Sequence, residues 1–122
     1  MTALRTGIDL IEIERIESAI QRHGERFLQR VFSPAELEQA AGSPASLAVR
    51  FAAKEAAAKA LGTGIGDITW LEIEVLRQSD QSPILQLSGT AAQQAAALGL
   101  TAWAVSLSHS RTHALASVVA LG

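Results

Sequence analysis

The chain has 122 residues, 48% of them hydrophobic and 18% charged; such a composition suits one globular domain over residues 1–122 and excludes a disordered chain. The absence of Cys removes disulfides, thiolate metal sites and a Cys nucleophile. A net charge of −2 lacks the basic excess of a nucleic-acid binder, and no apolar run approaches the roughly 18 residues that span a bilayer, so a cytoplasmic protein with no nucleic-acid or membrane partner is expected.

Residues 3–13 read as a strand rich in Ile and Leu, and the start does not have the form of a signal peptide. From Ile13 the spacing of Ile13, Ile16, Ala19 and Ile20 becomes helical and ends near His23-Gly24. A short helix carries Phe27, Leu28, Val31 and Phe32. Ser33-Pro34-Ala35-Glu36 is a helix start, with Ser as cap, Pro in the first turn and Glu36 placed for a capping box. Residues 45–61 form an Ala-rich helix that Gly62 and Gly64 stop. Strand-like segments follow at 69–77 and 83–88, then a helix over 89–98. Two strands, 101–109 and 113–121, close the chain around a turn at Ser110-Arg111-Thr112. The result is an α+β domain with helices packed on a small antiparallel sheet. With three Phe, two Trp and no Tyr, its core is filled by Ala, Leu, Ile and Val.

Three places carry chemistry. Asp9 lies in a strand whose same-face neighbours are Gly7, Ile11 and Ile13, so its carboxylate is poorly placed for a solvated face. It calls for a partner cation, a metal or an Arg. On the 45–61 helix, Arg50 and Lys54 share a face, and like charges at that spacing cost about 0.2–0.5 kcal/mol. Glu55 and Lys59 are in the favourable order. An ordinary solvated face fits the spacing alone, but the surrounding residues are Ala, Phe and Leu, so the helix reads as buried. Four charges there suit an anionic ligand with a metal ion. The third place is Ser106-Leu107-Ser108-His109 at a strand end. No G-x-S-x-G elbow supports a Ser-His hydrolase. His109 and His113 would share a helix face but lie on strands, against a zinc site. Gly62-Thr63-Gly64-Ile65-Gly66 ends a helix and is not a phosphate loop of the G-x-x-x-x-G-K type.

Several segments together resemble the holo-acyl-carrier-protein synthase family, the small phosphopantetheinyl transferases. They are Gly7-Ile8-Asp9, the run Arg50-Phe51-Ala52-Ala53-Lys54-Glu55-Ala56 with Lys59-Ala60-Leu61-Gly62-Thr63-Gly64, and Ser106-Leu107-Ser108-His109-Ser110. Phe32-Ser33-Pro34-Ala35-Glu36-Leu37 and Leu87-Ser88-Gly89 match as well, so the likeness runs nearly end to end. The resemblance implies transfer of 4′-phosphopantetheine from coenzyme A to a serine of apo-acyl carrier protein, releasing adenosine 3′,5′-bisphosphate. It implies Mg²⁺ held by Asp9 and Glu55, with Asp9, Glu55 and Lys59 catalytic and the serine proton taken by Glu55 or, as a second choice, Asp9. Arg50, Lys54, Lys59, Gly62, Pro83, Ser108 and His109 would bind coenzyme A. Arg15, Arg22, Arg26 and Phe27 would dock the acidic carrier, although the three Arg residues also fit an ordinary helix surface with Glu14, Glu17 and Glu25. A homotrimer with sites at subunit boundaries is implied, His109 coming from the neighbouring chain. One departure is Gln81-Ser82-Pro83, where the family often has Gly-Lys-Pro. Two readings compete: a non-catalytic oligomeric module that binds acidic partners through the Arg-rich N-terminal helix, and a metal-dependent nucleotide hydrolase.

Overall fold

The computed structural model describes residues 2–122. Strand β1 (Leu4–Glu12) runs directly into helix α1 (Ile13–His23). Exposure alternates along β1, with Thr6, Ile8 and Leu10 outside and Gly7, Asp9 and Ile11 turned inward, as a strand with one covered face requires. Gly24, at φ 54°, interrupts the helix, and α2 (Glu25–Val31) follows. Helix α3 (Pro34–Ala40) opens on the capping box expected for it. Ser33 Oγ accepts from the Glu36 N–H at 3.1 Å, and Glu36 Oε1 accepts from the Ser33 N–H at 2.9 Å.

Helix α4 (Pro44–Leu61) is the centre of the molecule. Ser43 caps its start, and Gly62 ends it at φ 76°, a left-handed conformation that favours glycine. Twelve of its eighteen residues are buried, most of them alanines. The expected 69–77 strand is shorter than its pattern. Trp70–Glu72 forms a 3-10 turn, and only Ile73–Arg77 is strand β2. The reason is local capping: the Glu72 carboxylate accepts from the Thr69 N–H at 2.7 Å and from the Ala91 N–H at 3.0 Å. It thereby closes its own turn and serves the first turn of α5 (Gly89–Ala97). Strand β3 (Pro83–Leu87) pairs with β2, and β4 (Ala102–His109) and β5 (His113–Leu121) form the closing hairpin.

The five strands make two antiparallel sheets where one was expected, a three-stranded sheet ordered β1-β5-β4 and the β2-β3 ribbon. Side chains from the helices occupy the free edge of β2. Glu36 accepts from the Val75 N–H, Arg50 donates to the Val75 carbonyl, and Gln39 both accepts from the Arg77 N–H and donates to its carbonyl. With its edge groups satisfied in this way, β2 is anchored to α3 and α4 and its free edge offers no template for a further strand.

Helix α4 lies across the inner face of the larger sheet, where Ala114, Ala116, Val118 and Ala120 of β5 are fully buried against it. Small side chains on both sides allow a close approach, and the limiting point is Gly7. A Cβ on Gly7 would stand 1.8 Å from the Ala56 carbonyl oxygen and 3.1 Å from the Ala60 nitrogen, both backbone atoms of α4. Neither can move without displacing the helix. Gly7→Ala is therefore expected to destabilise the fold by about 3 kcal/mol or more, at or beyond the upper end of ordinary overpacking, as read from chemical denaturation. A loss below about 1 kcal/mol, the lower end of that range, would show that the strand and helix are not in close contact there.

Candidate active site

The contact between β1 and α4 assembles the site. Asp9, two residues beyond Gly7, is half-buried on the inner face of β1, and Glu55 is half-buried on α4. Both line one cavity of about 280 Å³, whose other walls include Arg15 and Ile16 of α1, Phe27 of α2 and Phe51 of α4. Phe51 is braced by Trp70, with ring centroids 4.5 Å apart and planes tilted by 31°, so an aromatic pair forms one wall of the carboxylate pocket.

Lys59, one turn beyond Glu55, reaches back across β1. Its Nζ donates to the Ile8 carbonyl at 2.9 Å and to Asp9 Oδ1 at 3.2 Å. The lysine side chain is 56% exposed, so this bond is screened and holds Asp9 loosely. Burial raises the Glu55 pKa, the neighbouring Asp9 charge raises it further, and Lys59 opposes both. Two carboxylates that repel each other in one pocket, with an exposed lysine to offset them, suit a hard divalent cation. No three His, Cys, Asp or Glu side chains group to hold a metal among the described residues. A cation on Asp9 and Glu55 would therefore complete its shell from water or from oxygens of a bound substrate, as Mg²⁺ does.

Lys54 lies apart from this cavity. Although it is next to Glu55 in sequence, it leaves another side of the helix and is fully buried. Its ammonium donates to Val31 O at 2.7 Å, Glu36 Oε1 at 2.7 Å and Trp70 O at 3.0 Å. All three N–H donors are used within the protein, and none is left for coenzyme A. Lys54 also lies over the Phe32 ring, 5.5 Å from its centroid. Burial lowers its pKa, and Glu36 opposes that shift both through its charge and through a hydrogen bond. Arg50 is also buried, 1% exposed, but it borders a second cavity. The like-charge pair of the helix is thus answered chiefly by Glu36 and by carbonyl groups, where the sequence pointed to a ligand.

The remaining candidates are dispersed. Gly62 is the C-cap of α4 and lies against Arg5, whose Nη2 would be 2.6 Å from a Cβ there. Pro83 opens β3 opposite Arg77. Ser108 and His109 are exposed on β4, separated from β1 by β5. Neither lines the carboxylate cavity. Among the docking candidates, Arg15 and Phe27 line the carboxylate cavity itself. Phe27 is shared with an adjoining hollow formed with His23, Arg26 and Arg30. Arg22 is exposed in the last turn of α1 and lines neither. Reading the sequence did not single out Arg5, whose Nε donates to the Ala60 carbonyl at 2.8 Å, the Phe51–Trp70 pair, or Arg77. Each depends on partners far along the chain.

The model of the 4′-phosphopantetheinyl transferase superfamily matches residues 5–116. The chain belongs to that superfamily. A holo-acyl-carrier-protein synthase of Herpetosiphon aurantiacus is 50% identical, over 98% of this chain and 99% of its own. The crystal structure of a Helicobacter pylori synthase of that name in complex with coenzyme A superposes with a TM-score of 0.86. It is 34% identical, and the match covers 94% of this chain and 98% of that one. A Bacillus anthracis synthase in complex with coenzyme A (3′,5′-ADP) gives a TM-score of 0.80 at 34% identity, over 100% of this chain and 99% of that one. This phosphopantetheinyl transferase is therefore an enzyme, as its resemblance to the synthases implied. No helix among the described residues is long and apolar enough to cross a membrane.

The raised pKa of Glu55 has a consequence for stability. At acid pH Glu55 is protonated in both folded and unfolded chains and carries no penalty. Above its ordinary unfolded pKa the unfolded chain ionises first, and stability falls until the folded pKa is passed. In metal-free protein with a chelator present, Glu55→Gln is expected to raise Tm by a few degrees at neutral pH. That gain should vanish below the usual carboxylate range. A lower Tm at neutral pH would mean that the carboxylate is stabilised in its pocket.

Proposed function

We propose that the chain transfers the 4′-phosphopantetheine group of coenzyme A to a serine hydroxyl of an apo-acyl carrier protein in a Mg²⁺-dependent reaction, releasing adenosine 3′,5′-bisphosphate. The observation that carries this reading is the convergence of Asp9 and Glu55, 46 positions apart in the chain, on one cavity that opens beside an Arg-bearing helical surface. Asp9 and Glu55 would hold Mg²⁺, whose charge would draw the pyrophosphate into the pocket and favour the transition state. Glu55, with its raised pKa, is the better proton acceptor of the two. It takes the proton of the carrier serine as the serine oxygen bonds to the β-phosphorus. The bond from that phosphorus to the bridging oxygen breaks, and the electron pair leaves on adenosine 3′,5′-bisphosphate. Lys59, hydrogen-bonded to Asp9, adds positive charge beside the carboxylates.

Arg15, Arg22, Arg26 and Phe27 would dock the carrier. An acidic partner would be steered to this surface, the more weakly the higher the salt. Phe27, which walls both hollows, joins the docking surface to the carboxylates. The reading as a non-catalytic module is not favoured, since the curated relatives are named as synthases over nearly their whole length.

We propose also that the enzyme is a homotrimer. The outer face of the β1-β5-β4 sheet is apolar and uncovered: Leu4 is 64% exposed, Ile8 59% and Leu10 63%, with Leu121 in register beside Leu4. A monomer seldom leaves such a face open. Closing it between copies would bring His109 of one chain towards the carboxylates of the next.

Intact-mass analysis tests the reaction. With Mg²⁺ and coenzyme A, an apo carrier should gain one phosphopantetheine. Asp9→Ala should abolish the gain while leaving the protein folded, and no gain with any of several carriers would overturn the reading. Co-expression of Asp9→Ala with His109→Ala tests the shared site. If each site draws on two chains of a ring, about one quarter of the sites in a random mixture are intact, so activity absent from either variant alone should return to about that fraction. Activity no higher in the mixture than in the separate variants would place both residues in one chain.

A further inference from the structure

The cavity that joins Asp9 and Glu55 is apolar apart from the two acids and Arg15, and its walls include Ile11, Ile16, Ala19, Phe27 and Phe51. Two of these walls are aromatic. Each is backed by a second ring that does not itself line the cavity. Phe32 stands edge-on to Phe27 with ring centroids 6.2 Å apart, and Trp70 lies against Phe51 at 4.5 Å. The two backing residues meet at one ammonium: Lys54 Nζ is 5.5 Å from the Phe32 ring centroid and donates to the Trp70 carbonyl at 3.0 Å.

The fold needs the two backing rings to different degrees. Phe32 is 1% exposed and belongs to the core. Trp70 is only half-buried, on a 3-10 turn of three residues. Its backbone is nevertheless pinned twice, by Lys54 at the carbonyl and by Glu72, which closes the turn through the Thr69 N–H at 2.7 Å. The turn thus holds a large ring firmly against the back of a cavity wall. An aromatic neighbour at this distance favours the packed position of Phe51 by up to about tenfold.

The transferase reading above, on which this inference rests, gives that wall a task. A base that can take the proton of a serine hydroxyl can take one from water as well. The oxygen of water would then join the β-phosphorus, its proton would pass to Glu55, and the bond to the bridging oxygen would break with its electron pair leaving on adenosine 3′,5′-bisphosphate. The other product would be free 4′-phosphopantetheine, and the carrier would stay unmodified. Nothing in the acids distinguishes the two nucleophiles, so the distinction comes from the space around them. A docked carrier would cover the side where Phe27 meets the Arg-bearing surface, and Phe51 walls another part of the same cavity. We infer that Trp70 is a positioning residue that keeps Phe51 in the wall and water out of line with the phosphorus, so that the donor reacts with the carrier serine instead of with water.

The test counts adenosine 3′,5′-bisphosphate and holo-carrier together, with Mg²⁺, coenzyme A and apo-acyl carrier protein, and then repeats the reaction without carrier. It compares wild type, Trp70→Ala and Trp70→Phe, with Asp9→Ala as the background. Wild type should release one bisphosphate for each holo-carrier formed, and without carrier it should stay close to background. In Trp70→Ala the carrier-free release should rise about tenfold, and with carrier the bisphosphate should exceed the holo-carrier. Trp70→Phe keeps a ring behind Phe51 and should return both readings towards wild type. A merely structural loss would lower the two products together and leave their ratio at one. That outcome overturns the inference, as does carrier-free release by wild type equal to that of Trp70→Ala. Should Trp70→Ala not fold, Phe51→Leu is read in the same way, and a ratio of one there overturns it. Wild type that forms no holo-carrier with any of several carriers would sink the transferase reading, and this assignment with it.

Discussion

Everything functional in this molecule depends on how closely the first strand can lie against the long alanine helix. The approach is set by Gly7, whose missing side chain leaves room for the Ala56 carbonyl, and by the run of buried alanines on α4. Only at that separation do a strand carboxylate and a helix carboxylate face the same small cavity while a lysine one turn further on can still reach the strand. A bulkier pairing would bury more surface per residue, and it would also hold the two acids apart.

The same closeness sorts the charges of α4. Arg50 and Lys54 point toward α3 and the β2-β3 ribbon, where Glu36, Gln39 and main-chain carbonyls receive them. Glu55 and Lys59 point toward β1 and the water beyond. One helix thus carries a structural pair and a chemical pair side by side. The bridge of Lys54 to Glu36 is costly to break, because removing either partner would strand a charge in the interior. The outer pair is loose, because the lysine is largely in solvent. A loose counter-ion suits a position where a stronger cation is to be accommodated.

Much of this was legible in the residues. The capping box at Ser33, the glycine stop at Gly62, the alternation of the last two strands and the inward turn of Asp9 are short-range patterns, and the chain obeys them. What could not be read depends on long-range partners. Nothing near Lys54 in sequence announces that Glu36, eighteen positions earlier, will occupy its ammonium, so a buried lysine looked like a ligand contact. Glu36 itself looked only like a helix cap, although its second oxygen also serves Val75. The β-rich composition of 69–77 concealed a 3-10 turn because Glu72 finds a partner at Ala91, beyond two intervening strands. Arg77 had no local pattern at all; it shares the lining of a hollow with Arg50.

The two buried cations of α4 have one more effect. A helix that is alanine nearly all round has no strong greasy side, and hydrophobic burial alone would tolerate many orientations about its own axis. Lys54 and Arg50 remove that freedom, since each polar tip has a single docking place, Lys54 against Glu36 and the Val31 carbonyl, Arg50 against the Val75 carbonyl. They act as a key in a slot. With the dial set by Lys54, its neighbour Glu55 is turned roughly 100° away, the angular step of an α-helix, and comes to bear on Asp9. The interior cation thus aims the acid next to it, without touching anything that reacts.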